Sequence, residues 1–253
     1  MKKNYIVILA IISIILILGG GFLFWRSRRA QELPPTLEPE GVLIETTLEE
    51  RPYITLTPSS DGHWLTIEVS RIREAENLEN RVWGRMVGEL VKRVSEPKSV
   101  LILGLGGGTE AKLLAERFPE ILIDGVELDP VIVEVGKRFF DLDKIPNLQV
   151  ITADAVEVVK TPKNHPLRAS QYSIVIVDTY IGDNTPPALE EPGMITGIKK
   201  LLSPEGVAVF NRLSKLVTHE FRAKLKDIFG NVEEVGVTYG WGLPPGNTLF
   251  FCS

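Results

Sequence analysis

Four glycines crowd the segment Ser99–Leu114, SVLILGLGGGTEAKLL: Gly104, Gly106, Gly107 and Gly108. An apolar run precedes them and an amphipathic run follows, which reads as strand, turn and helix. Glycines in such a turn let the backbone approach a ligand closely and aim the first N–H groups of the helix at it. Glu127 stands 23 residues beyond Gly104, at the tip of the next apolar run in GVELDP. A carboxylate there can accept hydrogen bonds from both hydroxyls of a ribose. Helix capping is its other available role, although Asp129, just before Pro130, suits that role better. A third run ends in ITADA, with Asp154 at its tip. That carboxylate can accept from an adenine amino group, with the N–H of Ala155 facing the ring, or it can cap the helix that follows. Glycines, an acid and an acid at three successive strand tips describe a nucleoside-cofactor site in the crevice at the carboxyl ends of the strands.

A dinucleotide-binding domain is the main rival. Thr109 occupies the place of its third motif glycine. A second acid on the third strand and a closing antiparallel hairpin are also foreign to it. The pattern therefore points to a cofactor of the S-adenosylmethionine type.

The elements that must hold these residues alternate regularly. Apolar runs at Val100–Leu103, Ile121–Val126, Leu148–Thr152, Ser173–Val177, Val207–Phe210, Val232–Val237 and Thr248–Cys252 read as strands. Helical patterns lie at about Thr109–Arg117, Pro130–Phe140, Ala155–Val159, Met194–Leu202 and His219–Phe229. Strands buried on both faces read as continuous apolar runs, so a doubly wound, mostly parallel seven-stranded α/β sheet is expected. The last two strands are joined too briefly for a crossover and must pair antiparallel. That is the Rossmann-like architecture of S-adenosylmethionine-dependent methyltransferases.

The chain has 253 residues, a formal net charge of -5, one cysteine and three histidines. The mild acidity excludes a global basic field, and no nucleic-acid partner is expected. A single Cys252 excludes an intrachain disulfide and reads as a buried hydrophobe. The scattered histidines His63, His165 and His219 show no metal-ligand spacing. Tyr5–Trp25 is an uncharged apolar run, about long enough to cross a bilayer core. It ends in Phe22, Phe24 and Trp25, followed by Arg26, Arg28 and Arg29. An uncleaved single-pass membrane anchor is expected at 1–29, and an extended Pro/Glu linker at 30–40. A small β-hairpin unit is expected at 41–76, from the alternating runs LIETT, YITLTP and WLTIEV with a Ser59–Gly62 turn. The cofactor domain fills 77–253, opening on a helix from about Asn77 to Arg93. Because its cofactor is made in the cytoplasm, the domain is placed on that side of the cell membrane.

These residues resemble the spermidine synthase family, the polyamine aminopropyltransferases, over nearly everything after the linker. ERPYITLTP is similar to the family's N-terminal β unit, and VLILGLGGGT with VELDP to its glycine loop and ribose acid. ITADA is similar to its adenine segment, VDTY to the start of its catalytic loop, and LPPGNTLFFCS to its C-terminal hairpin. The resemblance implies that Asp178 is the general base, with Tyr180 beside it in the catalytic loop. It also implies a small-molecule acceptor and leaves room for a homodimer. The chain departs from the pattern at several positions. Gly107 replaces an aspartate that grips the amine of decarboxylated S-adenosylmethionine. Ile181 replaces a second acid of the catalytic loop, and Trp83 and Leu243 replace tyrosines. Asp183 and Glu110 are the acids nearby that can compensate.

A loop without that aspartate suits a carboxylate, which S-adenosylmethionine has and its decarboxylated form lacks. Three functions stay open: a spermidine synthase-like transferase whose acceptor is not putrescine, a small-molecule methyltransferase, and a non-catalytic cofactor-binding membrane module.

Overall fold

The computed structural model describes residues 42–46, 52–56, 65–68, 82–180, 184–238 and 244–253. The chain divides into two compact units, Met1–Arg71 and Ile72–Ser253. In the first, β1 (Val42–Thr46), β2 (Pro52–Leu56) and β3 (Leu65–Glu68) form an antiparallel sheet in chain order. The three alternating runs are therefore strands. Their Ser59–Gly62 turn, the linker and the Tyr5–Trp25 run lie outside the described residues. Among those described, no helix is long and apolar enough to cross a membrane.

The second unit begins with α1 (Val82–Arg93). Strand and helix then alternate through β4 (Ser99–Leu103), α2 (Thr109–Arg117), β5 (Leu122–Glu127), α3 (Pro130–Phe139) and β6 (Leu148–Thr152). They continue through α4 (Ala155–Lys160), β7 (Tyr172–Val177), α5 (Pro192–Lys200), β8 (Leu202–Leu213) and α6 (His219–Phe229). The chain then forms β9 (Val232–Val237) and β10 (Asn247–Cys252). The sheet order is β6-β5-β4-β7-β8-β10-β9. Neighbours from β6 to β8 are parallel, and β10 runs antiparallel to both β8 and β9. This is the expected seven-stranded methyltransferase-like sheet.

Burial on both faces explains the unbroken apolar runs. Leu101, Leu103, Val175, Val177, Ala208 and Phe210 pack on one face. Their alternates Val100, Ile102, Ile174, Ile176, Val207 and Val209 pack on the other. Truncating one such side chain to alanine typically costs about 2–5 kcal/mol. The edge strand β9 is protected differently. It carries Glu233 and Glu234, paired with Arg93 and Arg222, and charge on an edge discourages further strand pairing.

The expected Val207–Phe210 strand is longer in the structure. Leu202 already pairs with Tyr172, and the ladder resumes at Val207 against Ile174. The extra residues Ser203-Pro204-Glu205-Gly206 bulge out, and their turn-like composition hid the strand's beginning. Winding reverses between β4 and β7, so the crevice for a ligand opens beyond the carboxyl ends of those two strands.

Candidate active site

The glycine loop springs directly from β4. The N–H groups of Gly104 and Leu105 both donate to the carbonyl of Val126, at 3.0 and 2.9 Å. Gly104 has φ 93°, and a Cβ there would strike the carbonyl oxygen of Asp178. Gly108 has φ 84°, and a Cβ there would strike the Leu142 side chain. Gly106, with φ 53°, would meet nothing within 4 Å. The loop is thus pinned at both ends and open in the middle, at Gly106. Gly108 is also the N-cap of α2 and makes no side-chain cap, which leaves this helix end able to face a ligand.

Glu127 fixes the open part. Its Oε2 accepts from Gly106 N at 2.8 Å and its Oε1 from Asp129 N at 3.1 Å. An ionised carboxylate has about four acceptor positions, so two remain for a pair of hydroxyls. The residue is 7% exposed, and water competes weakly for those positions. Asp129 caps α3 by accepting from Val131 N at 2.8 Å, just before Pro130. Glu127 is thereby free of the capping role.

Asp154 does cap. Its Oδ1 accepts from Val156 N at 2.8 Å at the start of α4, beside the buried Ala155. Capping occupies one oxygen of an exposed side chain and leaves the reach to an adenine amino group as an expectation.

Asp178 follows β7, and its N–H donates to Leu103 O at 2.9 Å. Its Oδ1 accepts from Asn211 Nδ2 at 2.7 Å and its Oδ2 from Trp83 Nε1 at 3.2 Å. Asn211 is held in turn by Asn247 Nδ2, which donates to its Oδ1 at 2.8 Å. Side chains from α1, β8 and β10 therefore fix one carboxylate at the crevice. Glu110, on the first turn of α2, is 3% exposed and meets the Asp178 carboxyl. Burial first, and the Asp178 charge second, raise its ionisation well above the usual carboxylate range. Burial and the neighbouring charge both favour the neutral form of Glu110. Ile181, Asp183 and Leu243 lie outside the described residues.

Behind the loop that carries Tyr180, Arg212 is 1% exposed. Its Nε donates to Glu190 Oε1 at 3.2 Å and its Nη1 to Asn211 O at 2.7 Å. The guanidinium lies over the Phe221 ring, 5.0 Å from the centroid, and Tyr180 and Asp178 contribute to its electrostatic surroundings. Arg212 Nη2, Thr179 Oγ1 and Thr185 Oγ1 are buried without hydrogen-bond partners.

The structure brings Gly104, Gly106, Gly107, Gly108 and Glu127 together on the loop, and Asp178 and Tyr180 on the segment after β7. Asn211, Asn247 and Arg212 escaped the sequence reading. A signal existed in GVAVFNRL, where polar residues end an apolar run just as Asp178 ends SIVIV.

Residues 81–241 match the family described as the spermine/spermidine synthase domain. The chain is 36% identical over 137 residues to a polyamine aminopropyltransferase of Vibrio vulnificus strain CMCP6, across 53% of this chain and 44% of that protein. It is 30% identical over 121 residues to the eEF1A lysine and N-terminal methyltransferase of Homo sapiens, across 46% of this chain and 17% of that protein. The matches thus span less than half the length of these curated relatives. Among solved structures, a probable spermidine synthase from Corynebacterium glutamicum ATCC 13032 superposes with a TM-score of 0.63. That likeness covers 88% of this chain and 81% of the other at 20% identity, and it shows the shared fold.

Proposed function

This chain belongs to the spermine/spermidine synthase domain family, and on that premise we propose a transferase that binds S-adenosylmethionine and acts on a small acceptor other than putrescine. Glu127 carries the reading. It orders the open glycine loop with two of its acceptor positions and keeps two for a ribose. Gly107 and the N-terminus of α2, which Gly108 leaves without a side-chain cap, favour a donor that bears a carboxylate. Decarboxylated S-adenosylmethionine keeps the ammonium group but has lost that carboxylate, and it would find no acid at Gly107.

The bound donor supplies an electrophilic carbon on a sulfonium. Asp178 does the rest of the chemistry available here. An amine is protonated at neutral pH, with an unperturbed pKa of about 10. A carboxylate fixed by Trp83 and Asn211 can orient such a group and accept its proton as the new bond forms. Gly107 and the eEF1A methyltransferase relative favour methyl transfer; the aminopropyltransferase relative favours the family's own reaction. We further propose that Tyr5–Trp25 anchors the chain in a membrane, with the 72–253 unit in the cytoplasm. Its apolar length and its arginine flank support this, and membrane fractionation of the full chain tests it.

Calorimetric titration of the full chain with S-adenosylmethionine, its decarboxylated form and methylthioadenosine tests the donor. Tighter binding of S-adenosylmethionine than of the decarboxylated form is expected. Spermidine formation from putrescine at a turnover of about one per second or more would overturn the proposed acceptor class.

A further inference from the structure

Glu110 is 3% exposed, and its carboxyl meets that of the half-buried Asp178. Both oxygens of Asp178 already hold donors, from Asn211 and Trp83. Oε1 of Glu110 is buried with no partner at all. Two ionised carboxylates in contact would repel, and around the buried Glu110 there is little solvent to screen the charge. One proton between them turns the repulsion into a short, charge-assisted hydrogen bond. The other groups facing the pair are few among the described residues. Arg212 approaches from β8 and is itself paired with Glu190 on the loop after β7. Tyr180 comes from the same loop and contributes to the surroundings of Arg212.

We propose that Glu110 and Asp178 hold one proton between them at neutral pH, seated on Glu110, the more deeply buried of the two. Glu110 is then a positioning residue, which fixes and tempers the base without touching the acceptor. Its burial and the neighbouring charge act in the same direction. The chemical role rests on the transferase reading; the shared proton does not.

The pair sets what the pocket accepts. It presents one negative charge, where two ionised acids would present two. A neutral nucleophile or a single ammonium group suits it, and a closely spaced diamine dication does not. During transfer the nucleophile's electron pair forms the new bond to carbon. The carbon–sulfur bond breaks with its pair left on sulfur, and the nucleophile's proton passes to Asp178. Both carboxyls are then neutral, and one proton must leave the pair before the next turnover.

Protonation can be read directly. In the full chain labelled with carbon-13 at the glutamate carboxyls, one resonance should keep its protonated shift at neutral pH. It should vanish in Glu110→Gln and move in Asp178→Asn. A Glu110 carboxyl that titrates with the surface glutamates, near the ordinary value of about 4.3, would overturn the proposal.

Stability supplies a second reading. The unfolded chain releases the Glu110 proton near its ordinary value, and the folded chain keeps it. Above that pH the folded state binds one proton more, so its stability falls as pH rises until the folded group ionises. Relative to Glu110→Gln, the wild-type folding constant should drop about tenfold per pH unit across that window. Parallel curves for the two proteins would count against the shared proton. If Glu110→Gln does not fold, the wild-type resonance decides alone. Failure to bind S-adenosylmethionine would sink the transferase reading, while the resonance would still decide the state of the pair.

Discussion

Replacing Glu127 by alanine should weaken binding of S-adenosylmethionine on the order of 100-fold. The carboxylate spends two acceptor positions on Gly106 N and Asp129 N and keeps two for the ribose. A hydrogen bond to a charged group contributes about 1.5–3 kcal/mol. Water entering the vacated space recovers part of two such bonds, which leaves a loss of about 2–4 kcal/mol. Each 1.4 kcal/mol is about tenfold in affinity. The freed loop amide adds a cost of its own, because Gly106 loses the acceptor that orders it. Glu127→Gln separates the two contributions. Its amide keeps the shape but replaces one acceptor with a donor, so about a tenfold loss is expected. Calorimetric titration measures both variants, with circular dichroism confirming that each is folded. Affinities within about threefold of wild type for two folded variants would show that Glu127 does not touch the ligand.

The glycine loop makes a paired prediction. Gly104→Ala meets a backbone carbonyl that cannot yield and should abolish folding, whereas Gly106→Ala meets open space. The latter should fold, at a strain of about 1 kcal/mol, yet lose the cofactor; thermal unfolding and ligand titration separate the two. At the Arg212–Glu190 pair the losses should be unequal. Glu190→Ala strands a buried guanidinium and should cost about 2 kcal/mol once the carboxylate's partial exposure is discounted, while Arg212→Met should be nearly neutral. Equal losses in denaturant unfolding would contradict the desolvation argument. Cys252 is buried, and burial alone pushes its thiol up to about 12. It should resist thiol reagents in the native protein and react only as the sheet opens; rapid labelling under native conditions would refute this.

The sheet was legible because both its faces are buried. Runs such as SIVIV and VLIL admit few other structures at their length, and the brief link from β9 to β10 dictated their antiparallel pairing. The loop glycines and Glu127 were legible because their roles depend on position along strand tips. Glu110 was not. Its spacing marks only the first turn of a helix, and nothing local in the chain shows that this turn meets Asp178. Asn211 and Asn247 stayed hidden for a related reason. They lie far apart in the chain and become a relay only when β10 enters the sheet beside β8. The turn-like residues after Leu202 concealed a bulge, since composition alone does not distinguish a bulge from a strand's beginning.

The place of β10 has a consequence for how the molecule is made on the ribosome. β8 and β9 follow one another in the chain but do not pair; their shared neighbour is synthesised last of the three. Until residues 247–252 leave the exit tunnel, β8 presents an unpaired edge, and Asn211 waits for the partner that orients it toward Asp178. A nascent chain paused in that interval exposes a long apolar strand and is open to chaperones or to misassembly. The same late insertion that joins β8 to β9 also completes the hydrogen-bonded support of Asp178, so the sheet neighbour and the side chain that braces the candidate base arrive together.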